Sequence, residues 1–283
     1  MKQLLVGAVC MGLSCSAMAM SEGRITKKPE ASMVITGLVD ITPDGHVRNF
    51  DLDKADKIPS AVVGLVKSSL PNWKFDLTQH IDTKAKVSLR VVARPVDDQH
   101  ETIGIVGASF TSEDDAANEN ISYQKHPAPE YPQMSLHARV AGEVYVYVQV
   151  GRNGKVQNLV VSQVNLAISG DENELEPYRH DLAVAASRAV KRYTFNIPTT
   201  GPEAGLESWT GIIPVAFYIG NVPGSWRPPS YGQWSVYVPG PTNAIPWIKP
   251  QEQLAGSTDA VPAGGSLWQS HPGVRLVTPL ATP

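Results

Sequence analysis

Gly142-Glu143-Val144-Tyr145-Val146-Tyr147-Val148-Gln149-Val150 sets four valines at every second position, and Arg152-Asn153-Gly154-Lys155 follows. Alternation at period two describes a strand with one apolar face. Asn153-Gly154 supplies the positive φ of a tight hairpin turn, and Val156, Leu159 and Val161 resume the alternation as the return strand. A helix is expected from about Glu176 to Arg192, with Pro177 in its first turn and Leu182, Ala185, Ala186, Ala189 and Val190 at helical spacing. Tyr193-Thr194-Phe195 and a strand over Ile212–Phe217 close the unit.

The same order stands nearer the N-terminus. Ile35, Val39 and Ile41 alternate, Thr42-Pro43-Asp44-Gly45 turns the chain, and His46–Phe50 returns. Ile58-Pro59 opens a helix carrying Val62, Val63, Leu65, Val66 and Leu70; Pro71 stops it, and Trp73-Lys74-Phe75 and a strand over Lys86–Val91 follow. The structural turns are thus Asp44-Gly45 and Asn153-Gly154. The expected fold is α+β: two tandem modules, residues 32–112 and 123–220, each a small antiparallel sheet (β-hairpin, helix, β-strand) with one packed helix. Between them, only Ile103–Gly107 reads as a short strand within the polar stretch 95–126. Residues 221–283 hold 11 of the 23 prolines and four of the six tryptophans, which describes a Pro-rich extended tail. Within it, Tyr231–Val238 has the composition to add as a strand to a domain edge.

Residues 1–19 read as a signal peptide: Lys2, a short apolar run over Leu4–Leu13, and Ala17-Met18-Ala19 for cleavage after Ala19. The run is shorter than the ~20 apolar residues of a spanning helix. The expected location is the periplasm; an uncleaved leader would anchor the chain in the inner membrane and give its only membrane contact. Both cysteines, Cys10 and Cys15, fall in this segment, so the exported chain folds without disulfides. A formal charge of −3 offers no attraction to nucleic acid.

Residues 123–220 resemble the C-terminal domain of the TonB family. The likeness rests on Pro129-Glu130-Tyr131-Pro132, Gly142 eleven residues after Tyr131, the alternating valines, Asn153-Gly154-Lys155-Val156 and Arg192-Tyr193-Thr194-Phe195. Residues 32–112 are similar more loosely, through Ile41–Val47 and Trp73-Lys74-Phe75, and lack a Tyr-Pro lead-in. The resemblance implies a periplasmic, peptide-binding interaction module that engages envelope or outer-membrane proteins by strand addition. Its last strand (Val215, Phe217, Ile219) would receive the peptide, near Tyr131 and Pro132. Tyr131 has a second reading, as a packing residue where the chain enters the module. The family's transducers carry a membrane anchor and a long spacer, which makes an atypical membrane-anchored energy transducer for outer-membrane transport the alternative function. Pro214 stands within the docking strand and removes one donor there.

No enzyme is expected. No nucleophile elbow or phosphate loop is present, and the seven histidines are scattered without metal-type spacing. An envelope hydrolase would need His and carboxylates to converge in a pocket. Asp171, Glu172, Glu174 and Glu176 suit a helix N-terminus better than a calcium loop. No catalytic residue, metal or cofactor is assigned.

Overall fold

The first alternation builds β1 (Glu30–Ile41) and β2 (Val47–Leu52), an antiparallel hairpin. The computed structural model describes residues 29–95, 101–112, 118–201, 203–220, 226–248, 258–262, 267–269 and 273–280; the expected leader, residues 1–19, lies outside the described residues. Met33, Ile35, Val39 and Ile41 share one buried face. At the turn, Gly45 takes φ +84°, and Thr42 Oγ1 donates to Asp44 Oδ1 at 2.5 Å. Then come α1 (Ser60–Ser69), β3 (Phe75–Leu77), β4 (Thr83–Pro95) and β5 (Glu101–Ser112). α1 lays Val62 and Val66 over the apolar face, where Trp73, Phe75, Val87 and Leu89 complete one core. The short strand expected at Ile103–Gly107 is the middle of twelve-residue β5, which pairs with β4 along its length, with a bulge at Arg90/Val91. Main-chain pairing holds its polar ends, which a hydropathy pattern does not register.

The second unit contains β6 (Ser122–Lys125), α2 (Gln133–His137), β7 (Gly142–Gly151), β8 (Val156–Leu166), α3 (Glu172–Val190), β9 (Thr194–Asn196) and β10 (Ser208–Phe217). Its sheet has the order β10-β7-β8. Val144, Val146, Val148 and Val150 face α3 in the second core, with Leu182, Ala186, Ala189 and Phe217. α3 starts four residues before the expected Glu176, because Asp171 and Glu174 form a capping box and the Glu174 carboxylate accepts the Asp171 N–H at 3.1 Å. Pro177 therefore sits inside the helix rather than in its first turn.

The two hairpin turns each meet the short strand that follows a helix in the same way. Gly154 takes φ +69°, and Lys155 N–H donates to Asn153 Oδ1 at 3.1 Å. Phe75 N–H donates to the Gly45 carbonyl at 2.8 Å, and Phe195 N–H to the Gly154 carbonyl at 2.8 Å. The approach is so close that an added Cβ would stand 2.0 Å from the Phe75 oxygen at Gly45 and 2.3 Å from the Phe195 oxygen at Gly154.

Residues beyond 220 contribute two strands and several buried side chains where they are described. β11 (Ser235–Tyr237) adds to β1 at Glu30–Ser32, and β12 (Val274–Leu276) adds to β3. The Tyr231–Val238 segment thus adds to the first sheet, with Val238 bridging Leu166 of β8. Ile245 and Val261 join Tyr145, Tyr147 and Ile212 in a third apolar cluster, with Trp247 and Trp268 against it. Trp247 and Trp268 lie on the face of the second sheet opposite α3, whereas Trp234 packs against the first core.

Candidate functional site

The β10 edge comes from its register. Ile212 N–H donates to Trp268 O at 2.9 Å, and Trp268 N–H to Ile212 O at 2.9 Å, so Ile212 turns its main chain away from β7. By alternation Thr210, Pro214 and Ala216 do the same, while Val215 and Phe217 bond to β7. Pro214 therefore places its missing donor on the outer edge, where β7 loses nothing. Val215 and Phe217 do not offer side chains to a partner, because they lie in the helix-side core. Ile219 is half-buried beyond the end of the strand. Of the expected receiving stretch, the outward main chain of Ala216 is what an added strand would meet.

Tyr131 packs. Its hydroxyl donates to Val140 O at 2.7 Å and its ring stands edge-on to Phe217 at 5.6 Å. Burial raises the phenol's pKa. Pro132 occupies the cap position of α2.

A second assembly lies where the sheets turn their non-helix faces toward the tail. Arg90, in the middle of β4, is 4% exposed. Its guanidinium donates to Tyr237 Oη at 2.6 Å and to Glu30 Oε2 at 3.1 Å, and stands 3.1 Å from Asp259 Oδ2. Asp259 Oδ2 also accepts from Tyr237 Oη at 2.8 Å and from Asn165 Nδ2 at 2.8 Å. Ser109 Oγ donates to the Ala260 carbonyl at 2.5 Å. Burial alone would lower the Arg90 pKa, but Asp259, Tyr237 and Glu30 hold it above its ordinary value. Desolvation, then the Asp259 charge, pushes the Tyr237 phenol well up. The first sheet, the tail and β8 are joined by one charged network.

Beside it lies a cavity of ≈ 170 Å³ lined from both sheets and the tail, Thr36, Glu143, Tyr145, Trp226, Tyr231 and Asp259 among them. Glu143, at the start of β7, is 7% exposed. Its Oε2 accepts from Tyr145 Oη at 2.8 Å, whereas its buried Oε1 has no hydrogen-bond partner. Burial pushes its carboxyl up to about 7, with the Tyr145 hydrogen bond opposing and the Asp259 charge adding to the rise.

Among the described residues no three His, Cys, Asp or Glu side chains gather as a metal site, and no helix is long and apolar enough to cross a membrane. No histidine appears among the described residues lining the cavity. Sequence reasoning missed Arg90, Glu143, Asn165, Tyr237 and Asp259. Arg90 alternates with the apolar Val87, Leu89 and Val91 and so reads as a solvent-facing residue, which is why the local pattern gave no signal of its burial. No family model matches the sequence, and no curated protein or solved structure matches it.

Proposed function

We propose that the protein is an exported, non-catalytic interaction protein of two tandem TonB-C-like modules, which docks extended segments of envelope or outer-membrane proteins on the β10 edge. Each module runs hairpin, helix, short strand, long strand, with the same glycine-to-Phe contact in both (Gly45 to Phe75, Gly154 to Phe195). Cleavage after Ala19 would release it to the periplasm.

The reading rests on one observation. The β10 edge already accepts an extended segment at Ile212, through both main-chain bonds to Trp268. Further along, among the described residues, no strand pairs with the outward side of Ala216. An unpaired strand edge is a template for addition. The test is fluorescence anisotropy with labelled peptides tiled over the periplasm-facing segments of outer-membrane receptors. Saturable binding by a subset is expected, and Ala216→Pro should weaken it about tenfold, the loss of one main-chain bond. Its circular dichroism spectrum should stay unchanged. The reading fails if no peptide saturates, or if a folded Ala216→Pro binds as well as the parent.

A further inference from the structure

We infer that the cavity between the two sheets binds a small organic ammonium ion, with Glu143 as its anionic partner and tail aromatics as its walls. The cavity is built for a cation. Its charged residues among those described are Glu143 and Asp259, and no Lys, Arg or His lines it. Asp259 is committed to Arg90, Tyr237 and Asn165. Glu143 keeps Oε1 buried and without a hydrogen-bond partner. A buried acceptor with no donor costs stability, and an ammonium N–H supplies the missing donor together with the opposite charge.

The walls are held in place before any ligand arrives. Tyr231 Oη donates to Thr36 O at 3.0 Å and accepts from Thr36 N–H at 3.1 Å. Trp226 Nε1 donates to Ser235 Oγ at 3.1 Å. Aromatic faces attract ammonium groups, more strongly when the site is desolvated. Lys54 Nζ already stands 5.7 Å from the Tyr231 ring centroid and the Arg90 guanidinium 5.6 Å from that of Tyr237, so a ligand would take the ring faces these leave. The volume of ≈ 170 Å³ is close to the about 150 Å³ of an engineered cavity that holds a benzene. The ligand class is therefore a compact amine of one ring or a short chain.

The ionised carboxylate is the binding form, so ligand and proton compete for Glu143. The ionisable groups facing it are Tyr145 from its own strand and Asp259 from the tail, with Arg90 and Tyr237 behind Asp259. With the carboxyl near 7, its ionised share, and the affinity with it, should fall about tenfold from pH 8 to pH 6.

Calorimetric titration of the full exported chain with benzylamine, and with benzyl alcohol as the neutral isostere, tests this without any substitution. Benzylamine should bind saturably at pH 8, at least tenfold more tightly than benzyl alcohol, and about tenfold more weakly at pH 6. Glu143→Gln, checked for an unchanged circular dichroism spectrum, should erase the preference for the amine. The inference is overturned if benzylamine does not saturate, if benzyl alcohol binds equally well, if affinity is the same at both pH values, or if folded Glu143→Gln retains the preference. None of these outcomes bears on the β10 edge, so the peptide-docking reading stands or falls separately.

Discussion

Gly45 and Gly154 carry two constraints at once. Each has a positive φ, and each lies where a Cβ would collide with a carbonyl oxygen, of Phe75 and Phe195 respectively. Valine at either position must strain the backbone and push the post-helix strand away. Each substitution should cost about 2 kcal/mol or more by urea denaturation; an unchanged midpoint would mean the turn relaxes freely. Glu143 supplies a second residue-scale test. Its carboxyl rises from 4.5 to about 7 on folding, so between those values the folded protein holds a proton that the unfolded chain has released. Stability must therefore fall as pH rises through that window and level off above 7, a loss of about 3 kcal/mol. Glu143→Gln cannot lose that proton. The stability of the variant relative to the parent should rise by about 3 kcal/mol from pH 4 to pH 8, measured by denaturant titration at each pH. A flat difference would show that Glu143 is not desolvated.

β12 is the element with the clearest separate consequence. It pairs Leu276 with Phe75, Arg275 reaches Asp76 at 2.5 Å, and Lys74 N–H donates to Thr278 Oγ1 at 2.7 Å. In the second unit β6 does the same for β9, pairing Tyr123 with Phe195. In the first unit the strand paired with β3 comes from the other end of the chain. Removing residues 270–283 should cost about 3 kcal/mol in lost pairing and apolar burial. Hydrogen exchange should quicken at Phe75–Leu77 while α3 stays protected; equal exchange at both would show that β12 adds nothing. A cut at 220 is a different matter, because it also removes β11, Asp259 and the tail's share of the third apolar cluster. It cannot serve as a clean way to expose the β10 edge.

Across the whole molecule, Arg90 and Asp259 tie the first sheet to the tail, and Asn165 ties the tail to the second sheet. Removing one partner of a buried ion pair leaves the other charge uncompensated. Asp259→Ala should cost about 3 kcal/mol and split a single calorimetric transition into two, one for each sheet. An unchanged melting temperature would show that the network does not couple them. The hairpins, their glycine turns, α1, α3 and the strand after each of these helices were legible in the sequence, because φ preference and the periods of 2 and 3.6 are local properties of the chain. The extra length of β5 was not, since its ends are held by cross-strand pairing. The strand within Tyr231–Val238 was legible too, but the edge it joins, β12 and the cavity depend on contacts that no local pattern contains. Ser32, Ser88, Arg90, Glu143 and Asn165 alternate with the core residues and read as a solvent face, yet all five are buried. Which side of a strand meets water is decided by what folds over it. Here that cover comes from residues 147 positions away for Arg90 and Tyr237, and 94 positions away for Asn165 and Asp259. The sequence by itself therefore determined the two hairpins, the two long helices, the strand after each of them and one core face of each sheet. Only the tertiary structure decided that the opposite, polar faces would close on a shared charged seam, because burial of a polar face depends on a distant segment supplying the matching charges.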